Sequence, residues 1–319
     1  MAAELKILLG AADFPSIEPV AVARVSYLAL ATDNLDDRMC EALGQLSGCF
    51  AAFRREHDRL LPIEVSSPDL FDDDLVTIPK YPGKTNEQFT RLLINVTLAS
   101  MRRSRSKPVS ILDPMCGRGT TLSTAMMLGC NAAGVEVETK AVEAYAAYLR
   151  TYWRRKRLKH SLEVTQVRRE GKIIGKRIEA EVIPAGSERP IALTVFSGDT
   201  RQSAALFGKR RFDAIVVDAP YGVVHGSQTE VRSAGGKRDR SAAGLISEAL
   251  PVWAGQLKTG GALGLSWNTI GLRRERLLEH IVAAGLEPLD FGPYRDFEHR
   301  VDSSIRRDIV VAIKATAGH

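Results

Sequence analysis

The sequence predicts an α/β fold in which a doubly wound, mainly parallel sheet is covered by helices on both faces. From residue 85 onward, short apolar runs of strand length alternate with stretches of helical periodicity, which is typical of strand–helix–strand units. The chain has 319 residues, of which 45% are apolar, and this is enough for one large core.

The alternation predicts six helices and six strands in the main part of the chain. The helices are expected at residues 87–101, 120–128, 139–157, 201–207, 241–257 and 273–283. The strands are expected at residues 109–112, 131–135, 191–196, 212–217, 262–267 and 308–313. Most of these strands are apolar along their length, as in a parallel sheet that buries both faces.

Two segments interrupt this alternation. Residues 161–183 contain two strand-like runs around a turn at 168–172, and they predict an inserted basic hairpin. Residues 221–240 are rich in Gly, Ser and Arg, and they predict a mobile loop.

A change of composition near residues 78–84 predicts a small acidic N-terminal region, residues 1–80, and a main domain, residues 81–319. An acidic run at residues 66–75, with prolines around it, precedes the boundary. Within the N-terminal region, apolar runs predict strands at residues 5–9 and 23–31, and helical spacing predicts a helix at residues 39–55.

The net charge of +6 is unevenly distributed. Residues 1–80 hold 14 acidic and 7 basic side chains, whereas residues 81–319 hold 24 acidic and 37 basic ones. The main domain is therefore suited to a polyanion, and the acidic region is a candidate contact for an accessory protein.

Several classes of protein are not expected. The chain has no apolar run long enough for a transmembrane helix, and its first residues lack the pattern of a secretory signal. Its four cysteines form no C-x-x-C pair, and a chain of this size needs no disulfides. We therefore predict a cytoplasmic protein with reduced thiols and no membrane partner.

The most informative segment, residues 111–122, joins a strand to a helix through a loop that contains Asp113, Gly117 and Gly119. The glycines let a ligand approach the backbone at an open helix N-terminus. The loop has neither the Gly-x-Gly-x-x-Gly pattern of dinucleotide sites nor the Gly-Lys-Ser/Thr of a phosphate-binding loop. An acid at the strand end opposes a phosphate and suits a cation, such as the sulfonium and amino groups of S-adenosylmethionine.

Acidic residues also end the next two strands. Glu136 falls 17 residues after Gly119, near the offset of ~20 residues expected for an acceptor of ribose hydroxyls. Asp199 is placed to accept from an adenine amino group. Acids at the ends of three successive strands predict an S-adenosylmethionine site, and no metal is predicted.

The fourth strand ends in Asp218, Ala219, Pro220 and Tyr221, the candidate catalytic residues. They resemble the Asp/Asn-Pro-Pro-Tyr motif of methyltransferases that act on exocyclic amino groups of bases, with Ala219 in place of the first proline. The carboxylate of Asp218 and the carbonyl of residue 219 would accept both N–H bonds of the amino group and direct its lone pair toward the methyl group. Tyr221 would stack on the base.

Methylation of a pyrimidine carbon would instead require a cysteine nucleophile, usually in a Pro-Cys pair. The chain has no Pro-Cys, and Cys116 lies in the cofactor loop. We interpret Cys116 as a small residue packed beside the ligand.

With these residues, the chain resembles the Rossmann-like class I S-adenosylmethionine-dependent methyltransferases. Among them it is most similar to the tRNA guanine-N2 methyltransferase family of eukaryotes and archaea, across about residues 81–315. The resemblance includes Tyr81-Pro-Gly-Lys-Thr-Asn-Glu-Gln-Phe89, which matches the motif that closes over the methionine end of the cofactor. The usual N-terminal RNA-binding module of that family, called THUMP, is not recognisable. The resemblance implies direct methyl transfer to guanine N2 in tRNA.

The motifs and the resemblance together give the expected cofactor-binding residues. These are Lys84, Thr85, Asn86, Asp113, Pro114, Cys116, Gly117, Gly119, Thr120, Glu136 and Asp199. Thr85 or Asn86 also fits as the N-cap of the helix that follows, and both roles are compatible.

A basic stretch at residues 150–177 predicts the nucleic-acid contact. It holds eleven Lys or Arg and two Glu, with aromatic residues near its start, and such stripes suit phosphates and unstacked bases. A solvated helix face is the alternative. The expected contact residues are Arg154, Arg155, Arg157, Lys159, Arg168, Arg169, Lys172, Lys176 and Arg177.

Three other functions stay open at this point. The same motif serves amino methylation of rRNA or DNA. Because Ala219 departs from the motif, the chain also fits a nucleic-acid-binding protein with a vestigial methyltransferase fold. A methyltransferase for a small molecule or a protein is the third, and the basic hairpin argues against it.

Overall fold

The computed structural model describes residues 1–10, 17–32, 35–102, 108–169, 172–220 and 242–315. The helices are α1 Ala2–Leu9, α2 Asp37–Gln45, α3 Asp74–Thr77, α4 Glu87–Ala99, α5 Thr120–Met127, α6 Thr139–Arg155, α7 Ser203–Phe207, α8 Ala242–Gln256 and α9 Arg274–Ala283. The strands of the N-terminal region are β1 Ile17–Val22, β2 Val25–Leu30, β3 Ala52–Glu56 and β4 Arg59–Ile63. The strands of the main sheet are β5 Ser110–Asp113, β6 Asn131–Glu136, β7 Lys159–Arg169, β8 Lys172–Ile183, β9 Ile191–Ser197, β10 Phe212–Asp218, β11 Leu257–Asn268, β12 Glu287–Leu289, β13 His299–Arg300 and β14 Arg306–Ile313.

The main sheet confirms the predicted doubly wound architecture. Its strand order is β12-β14-β11-β10-β5-β6-β9-β8-β7, and β13 pairs with β14. Strands β9, β6, β5, β10 and β11 are parallel, whereas β14 and β8 run antiparallel to their neighbours in that group. The chain first moves outward from β5 to β9 and then returns to β10. The ligand crevice of such a sheet lies at this reversal, at the carboxyl ends of β5 and β10.

Helices cover both faces of the sheet and give it two hydrophobic layers. Along β14, Ile309 and Val311 belong to the layer under α4, α5 and α6, whereas Val310 and Ala312 belong to the layer under α8 and α9. Successive strand residues point to opposite faces, so both layers require a continuous apolar run. This is the pattern that the sequence shows.

The predicted hairpin at residues 161–183 is confirmed as β7 and β8. Strand β8 pairs with β9 from Arg177 opposite Phe196 to Val182 opposite Ile191. Because β9 ends at Ser197, residues 172–176 and their partners on β7 extend beyond the carboxyl edge of the sheet. The predicted loop at residues 221–240 lies outside the described residues.

Two predictions in the N-terminal region are wrong. Residues 5–9 lie in helix α1 and not in a strand, because the helix buries opposite sides: Ala3 and Ile7 face the main core, and Leu5 and Leu9 face a smaller cluster with α2. Such an all-round apolar run resembles a strand in sequence. The strand expected at residues 23–31 is confirmed as β2.

The helix predicted at residues 39–55 ends at Gln45. The amide of Ser47 donates to Oε1 of Glu4 (3.0 Å), which draws the chain out of helical geometry. Residues 52–56 then form β3. Glu4 also accepts from Nδ2 of Asn95 (2.8 Å), so this one buried carboxylate joins α1, α4 and the end of α2.

The N-terminal region shares the core of the main domain. Ala3, Ile7, Phe71 and Leu75 belong to the same hydrophobic layer as α4 and the sheet. The boundary near residue 80 therefore stays a prediction. None of the helices in the described ranges is long and apolar enough to cross a membrane.

Candidate active site

The predicted cofactor loop connects β5 to α5 at the carboxyl edge of the sheet. Gly117 and Gly119 both have positive φ, 52° and 80°. A Cβ on Gly119 would lie 2.4 Å from the ring of Tyr145, so the residue must be glycine. A Cβ on Gly117 would meet nothing within 4 Å, which leaves open space at the loop where a ligand can approach.

The carboxylate of Glu136 holds this loop against the end of β6. Its Oε2 accepts from the amide of Gly117 (2.9 Å), and its Oε1 accepts from the amide of Glu138 (2.7 Å). Burial raises the pKa of Glu136. Each carboxylate oxygen can accept more than one hydrogen bond, so the side chain is oriented and can still accept from ribose hydroxyls.

Asp113, at the end of β5, is almost fully buried and accepts from the amide of Met115 (3.0 Å). Burial, with smaller contributions from the charges of Asp218 and Glu136, raises its pKa to about 7. A cation beside Asp113 would stabilise its ionised form. The site therefore fits the positively charged methionine end of S-adenosylmethionine.

We expect the affinity for S-adenosylmethionine to rise as the pH increases through about 7. Below that pH Asp113 is protonated and neutral, whereas above it the carboxylate attracts the sulfonium, so affinity can rise up to about tenfold per pH unit and then level off. Calorimetric titrations between about pH 6 and pH 8.5 measure this. S-adenosylhomocysteine, which lacks the sulfonium charge, is the control and should show a flatter profile; equal slopes for both ligands contradict the assignment.

Asp199 follows β9 and is already hydrogen-bonded. Its carboxylate accepts from the amide of Arg201 (2.9 Å) and pairs with the Arg201 guanidinium, whose Nε lies 3.0 Å from Oδ1. Arg201 also contacts Glu248 (2.8 Å), so the guanidinium is fixed from two sides. This arrangement orients Asp199, and its contact with adenine stays a prediction.

In the motif at residues 81–89, some side chains bind neighbouring parts of the fold, whereas another contacts the candidate active site. Oδ1 of Asn86 accepts from the amide of Phe89 (3.1 Å), which confirms the predicted N-cap of α4. The ammonium of Lys84 pairs with Glu87 and also donates to the carbonyl of Val76, so it is bound within the α3–α4 connection. Thr85 points the other way, and its hydroxyl donates to Oδ2 of Asp218.

The reacting centre lies at the end of β10. Besides the bond from Thr85, Oδ1 of Asp218 accepts from the hydroxyl of Ser266 on β11 (2.8 Å). The amide of Ala219 donates to the carbonyl of Ser266 (2.9 Å), a bond that proline could not make. This bond restrains the backbone where the related motif uses a proline ring. Pro220 is half-buried, and Tyr221 lies outside the described residues.

Sequence reasoning missed two residues at this site. Ser266 was hidden in an apolar strand, and its only signal was a hydroxyl near the strand's carboxyl end. Tyr81 opens the motif before the sheet, and its hydroxyl lies 2.8 Å from Oγ1 of Thr120 at the start of α5. The guanidinium of Arg118 lies over the Tyr81 ring, 5.1 Å from its centroid, beside the cofactor loop.

Cys116 packs against the loop as a small buried residue. A Cβ on Gly134 would lie 2.7 Å from its sulfur, so the two residues fit closely. Burial raises the pKa of the Cys116 thiol well above its usual value. The thiol is therefore protonated at neutral pH and is a poor nucleophile. Pro114 lies in the turn between Asp113 and this cysteine.

The basic stretch at residues 150–177, the predicted nucleic-acid contact, divides into two groups at opposite edges of the sheet. Residues at the end of α6 and the start of β7 are exposed at the amino edge: Arg154, Arg155, Arg157 and Lys159. The second group lies near the hairpin turn at the carboxyl edge: Arg168, Arg169, Lys172, Lys176 and Arg177. The length of β7 separates the groups by roughly 30 Å at about 3.3 Å per residue.

Within the turn group, the described side chains differ in their partners. Lys176 pairs with Glu143, and Arg177 pairs with Glu179 while its guanidinium lies 5.5 Å from the ring centroid of Phe196. Arg168 is exposed, with a long contact to Gln166. The side chains of Arg169 and Lys172 lie outside the described part of the chain.

A methyltransferase family model matches the part of the chain that contains these residues. The family described as "UPF0020: RMKL-like, methyltransferase domain" matches residues 86–234, which include α4, the cofactor loop and the end of β10. Comparison with curated proteins found no match. The family match over residues 86–234 and the acids at the strand ends support a class I S-adenosylmethionine-dependent methyltransferase, and its cofactor is S-adenosylmethionine.

Solved structures of methyltransferases are also similar to the chain. The rRNA methyltransferase aviRa from Streptomyces viridochromogenes is 16% identical, with 79% of this chain and 94% of that one covered and a TM-score of 0.43. A precorrin-6y C5,15-methyltransferase from Geobacter metallireducens is 11% identical, with 78% and 98% covered and a TM-score of 0.41. A TehB-like S-adenosylmethionine-dependent methyltransferase from Corynebacterium glutamicum is 16% identical, with 66% and 82% covered and a TM-score of 0.36.

Proposed function

We propose that this protein transfers a methyl group directly to an exocyclic amino nitrogen of a nucleic-acid base, and that guanine N2 in tRNA is the first substrate to test. One observation carries the proposal: the carboxylate of Asp218 stands at the end of β10, next to the cofactor loop, with Thr85 and Ser266 hydrogen-bonded to its two oxygens. The choice of guanine and tRNA rests on the resemblance of the motifs to the guanine-N2 family.

The chain's own residues orient the amino group. Bound S-adenosylmethionine supplies an electrophilic methyl group on its sulfonium. Thr85 and Ser266 each occupy one oxygen of Asp218 and fix its rotation, while the remaining lone pairs can accept an amino N–H. The carbonyl of Ala219 accepts the second N–H, so the nitrogen lone pair points to the methyl group. Asp218 then accepts the proton that the methylated nitrogen loses.

Attack on a ring carbon has less support. That route needs a thiolate beside the base. Cys116 is buried with a raised pKa, and its sulfur packs against Gly134. The absence of Pro-Cys from the whole sequence agrees with this.

The charge of the main domain supports a nucleic-acid substrate. The turn group of the hairpin lies at the same edge of the sheet as Asp218, whereas the amino-edge group faces away from it. Folded RNA and single-stranded RNA both present phosphates that the basic side chains of the turn group can contact. Amino methylation of rRNA or DNA remains the alternative, because Asp218 suits the amino groups of adenine, cytosine and guanine alike.

Charge reversal in the hairpin separates these two groups. The Arg168→Glu, Arg169→Glu, Lys172→Glu triple variant should weaken RNA binding and reduce the slope of log K against log salt by roughly 2–3, about 0.7–0.9 for each of three lost phosphate contacts. The matched control is Arg154→Glu, Arg155→Glu, Lys159→Glu at the amino edge, where the slope should change less. A larger change in the control would place the RNA at the amino edge and overturn this part of the proposal.

Transfer of a labelled methyl group tests the substrate class. The protein is incubated with labelled S-adenosylmethionine and, in separate reactions, with tRNA, rRNA or DNA from cells that lack the protein. Label in tRNA supports the proposal, label in rRNA or DNA selects the alternative, and label in none of them supports a vestigial fold or a substrate of another class. Cells lacking the protein are needed because their nucleic acid is unmethylated at the target.

A further inference from the structure

We infer that the β13–β14 turn, residues 299–307, is a second RNA contact that holds a nucleotide next to the target base. The inference rests on the proposed function and names the surface that positions its substrate. The partner is a single-stranded or extruded stretch of RNA, which offers both an unstacked base and phosphates.

The turn lies close to the reacting centre. On β11, Ser266 contacts Asp218, and in the register of β11 with β14 Asn268 lies opposite Arg307. The turn therefore starts two residues beyond Ser266, about 7 Å further along the strand direction. Strand β14 is two strands from β10, about 10 Å, and β13 is three strands away, about 14 Å, whereas β8 of the hairpin is four strands away, about 19 Å.

A fixed aromatic platform supports the turn. The guanidinium of Arg307 is buried and lies 4.2 Å from the ring centroid of Phe89. Phe89 is in the first turn of α4, four residues after Thr85, which contacts Asp218. The ring centroid of His299 lies 5.5 Å from that of Phe89, and His299 is an exposed residue. RNA-binding proteins use aromatic and histidine rings of this kind to stack unpaired bases.

Two like charges face each other at the next pair of the same two strands, on the opposite face from this platform. Arg300 of β13 is the register partner of Arg306 of β14, and both are exposed. Like charges directly opposite each other on paired strands destabilise the pairing. The carboxylate of Glu298 offsets this repulsion only at long range, since its Oε1 is 3.9 Å from Nε of Arg306. Arg300 donates to the backbone carbonyl of Asp302. A phosphate between the two guanidinium groups would remove the repulsion.

The test uses anisotropy of a labelled single-stranded RNA of mixed sequence, with the protein saturated by S-adenosylhomocysteine. The Arg300→Ala, Arg306→Ala double variant should lower the slope of log K against log salt by about 1.4, for two lost contacts to a single strand. His299→Ala should weaken binding about 5- to 10-fold and leave the slope unchanged, because a stacking contact carries no charge. The matched control is Lys209→Ala, Arg211→Ala, an exposed pair just before β10 at the opposite edge.

The outcomes separate this inference from the proposed function. If wild-type protein binds no RNA, the proposed function fails and this surface fails with it. If wild-type protein binds RNA and the slope falls equally in the Arg300→Ala, Arg306→Ala variant and in the Lys209→Ala, Arg211→Ala control, only the inferred surface is wrong. Unchanged affinity for S-adenosylhomocysteine in every variant shows that the fold and the cofactor site are intact.

Discussion

Replacing Asp218 by alanine is expected to lower the rate of methyl transfer by roughly 10²–10³-fold while the affinity for S-adenosylmethionine changes little. The amino group loses the acceptor that orients its lone pair, whereas the predicted cofactor contacts come from β5, β6 and β9. Single-turnover transfer to RNA measures the rate, and calorimetry measures the affinity.

Two control variants show whether the loss of activity is specific to the Asp218 carboxylate. Ser266→Ala removes the hydroxyl that donates to Oδ1 of Asp218 and should reduce the rate by less, within about tenfold, because Thr85 still holds the other oxygen. Cys116→Ser should retain activity, since direct transfer needs no thiolate. A Cys116→Ser protein that binds cofactor but cannot methylate would instead indicate attack on a ring carbon.

The second large effect is expected at Glu136. Glu136→Ala should weaken the affinity for S-adenosylmethionine about 10- to 150-fold, which corresponds to roughly 1.5–3 kcal/mol for hydrogen bonds to a charged acceptor. Two losses contribute, since the ribose loses its acceptor and the amide of Gly117 loses the oxygen that holds the cofactor loop. Calorimetry with the folded variant provides the measurement.

The matched control for Glu136 is its exposed neighbour Glu138, which carries the same charge two residues later. Glu138→Ala should change the affinity by no more than about twofold, because removal of an exposed charge has a small effect. If both variants bind equally well, Glu136 does not contact the ribose, and the ligand must lie elsewhere along the edge of the sheet.

The parts of the fold that sequence could predict are those with one dominant periodicity. Strands β10 and β14 are buried on both faces of the sheet and therefore have continuous apolar runs. The strands and their alternation with helices could thus be predicted from the sequence. The strand predicted at residues 5–9 was wrong because helix α1 has only eight residues and is apolar on opposite sides. Its sequence therefore shows no period that distinguishes a helix from a strand. The end of α2 depends on Glu4, a residue distant in sequence, so local spacing could not show it.

The site was predictable where its residues end strands. Asp113, Glu136, Asp199 and Asp218 all lie at the carboxyl edge, because parallel strands bring their ends to one side of the sheet. The contacts between them were not predictable. The bond from Thr85 to Asp218 joins residues 133 positions apart, and the division of the basic stripe follows from the direction of β7, which no local pattern encodes.

The identity of the methylated atom distinguishes transfer to an amino nitrogen from attack on a ring carbon. RNA from cells lacking the protein is treated with the protein and isotopically labelled S-adenosylmethionine, digested to nucleosides and analysed by chromatography with tandem mass spectrometry. We expect label on an exocyclic nitrogen, with N2-methylguanosine as the first expected product, and labelling roughly 10²–10³-fold slower when Asp218→Ala replaces the wild type. Label on a ring carbon, or equal label with Asp218→Ala, would contradict it.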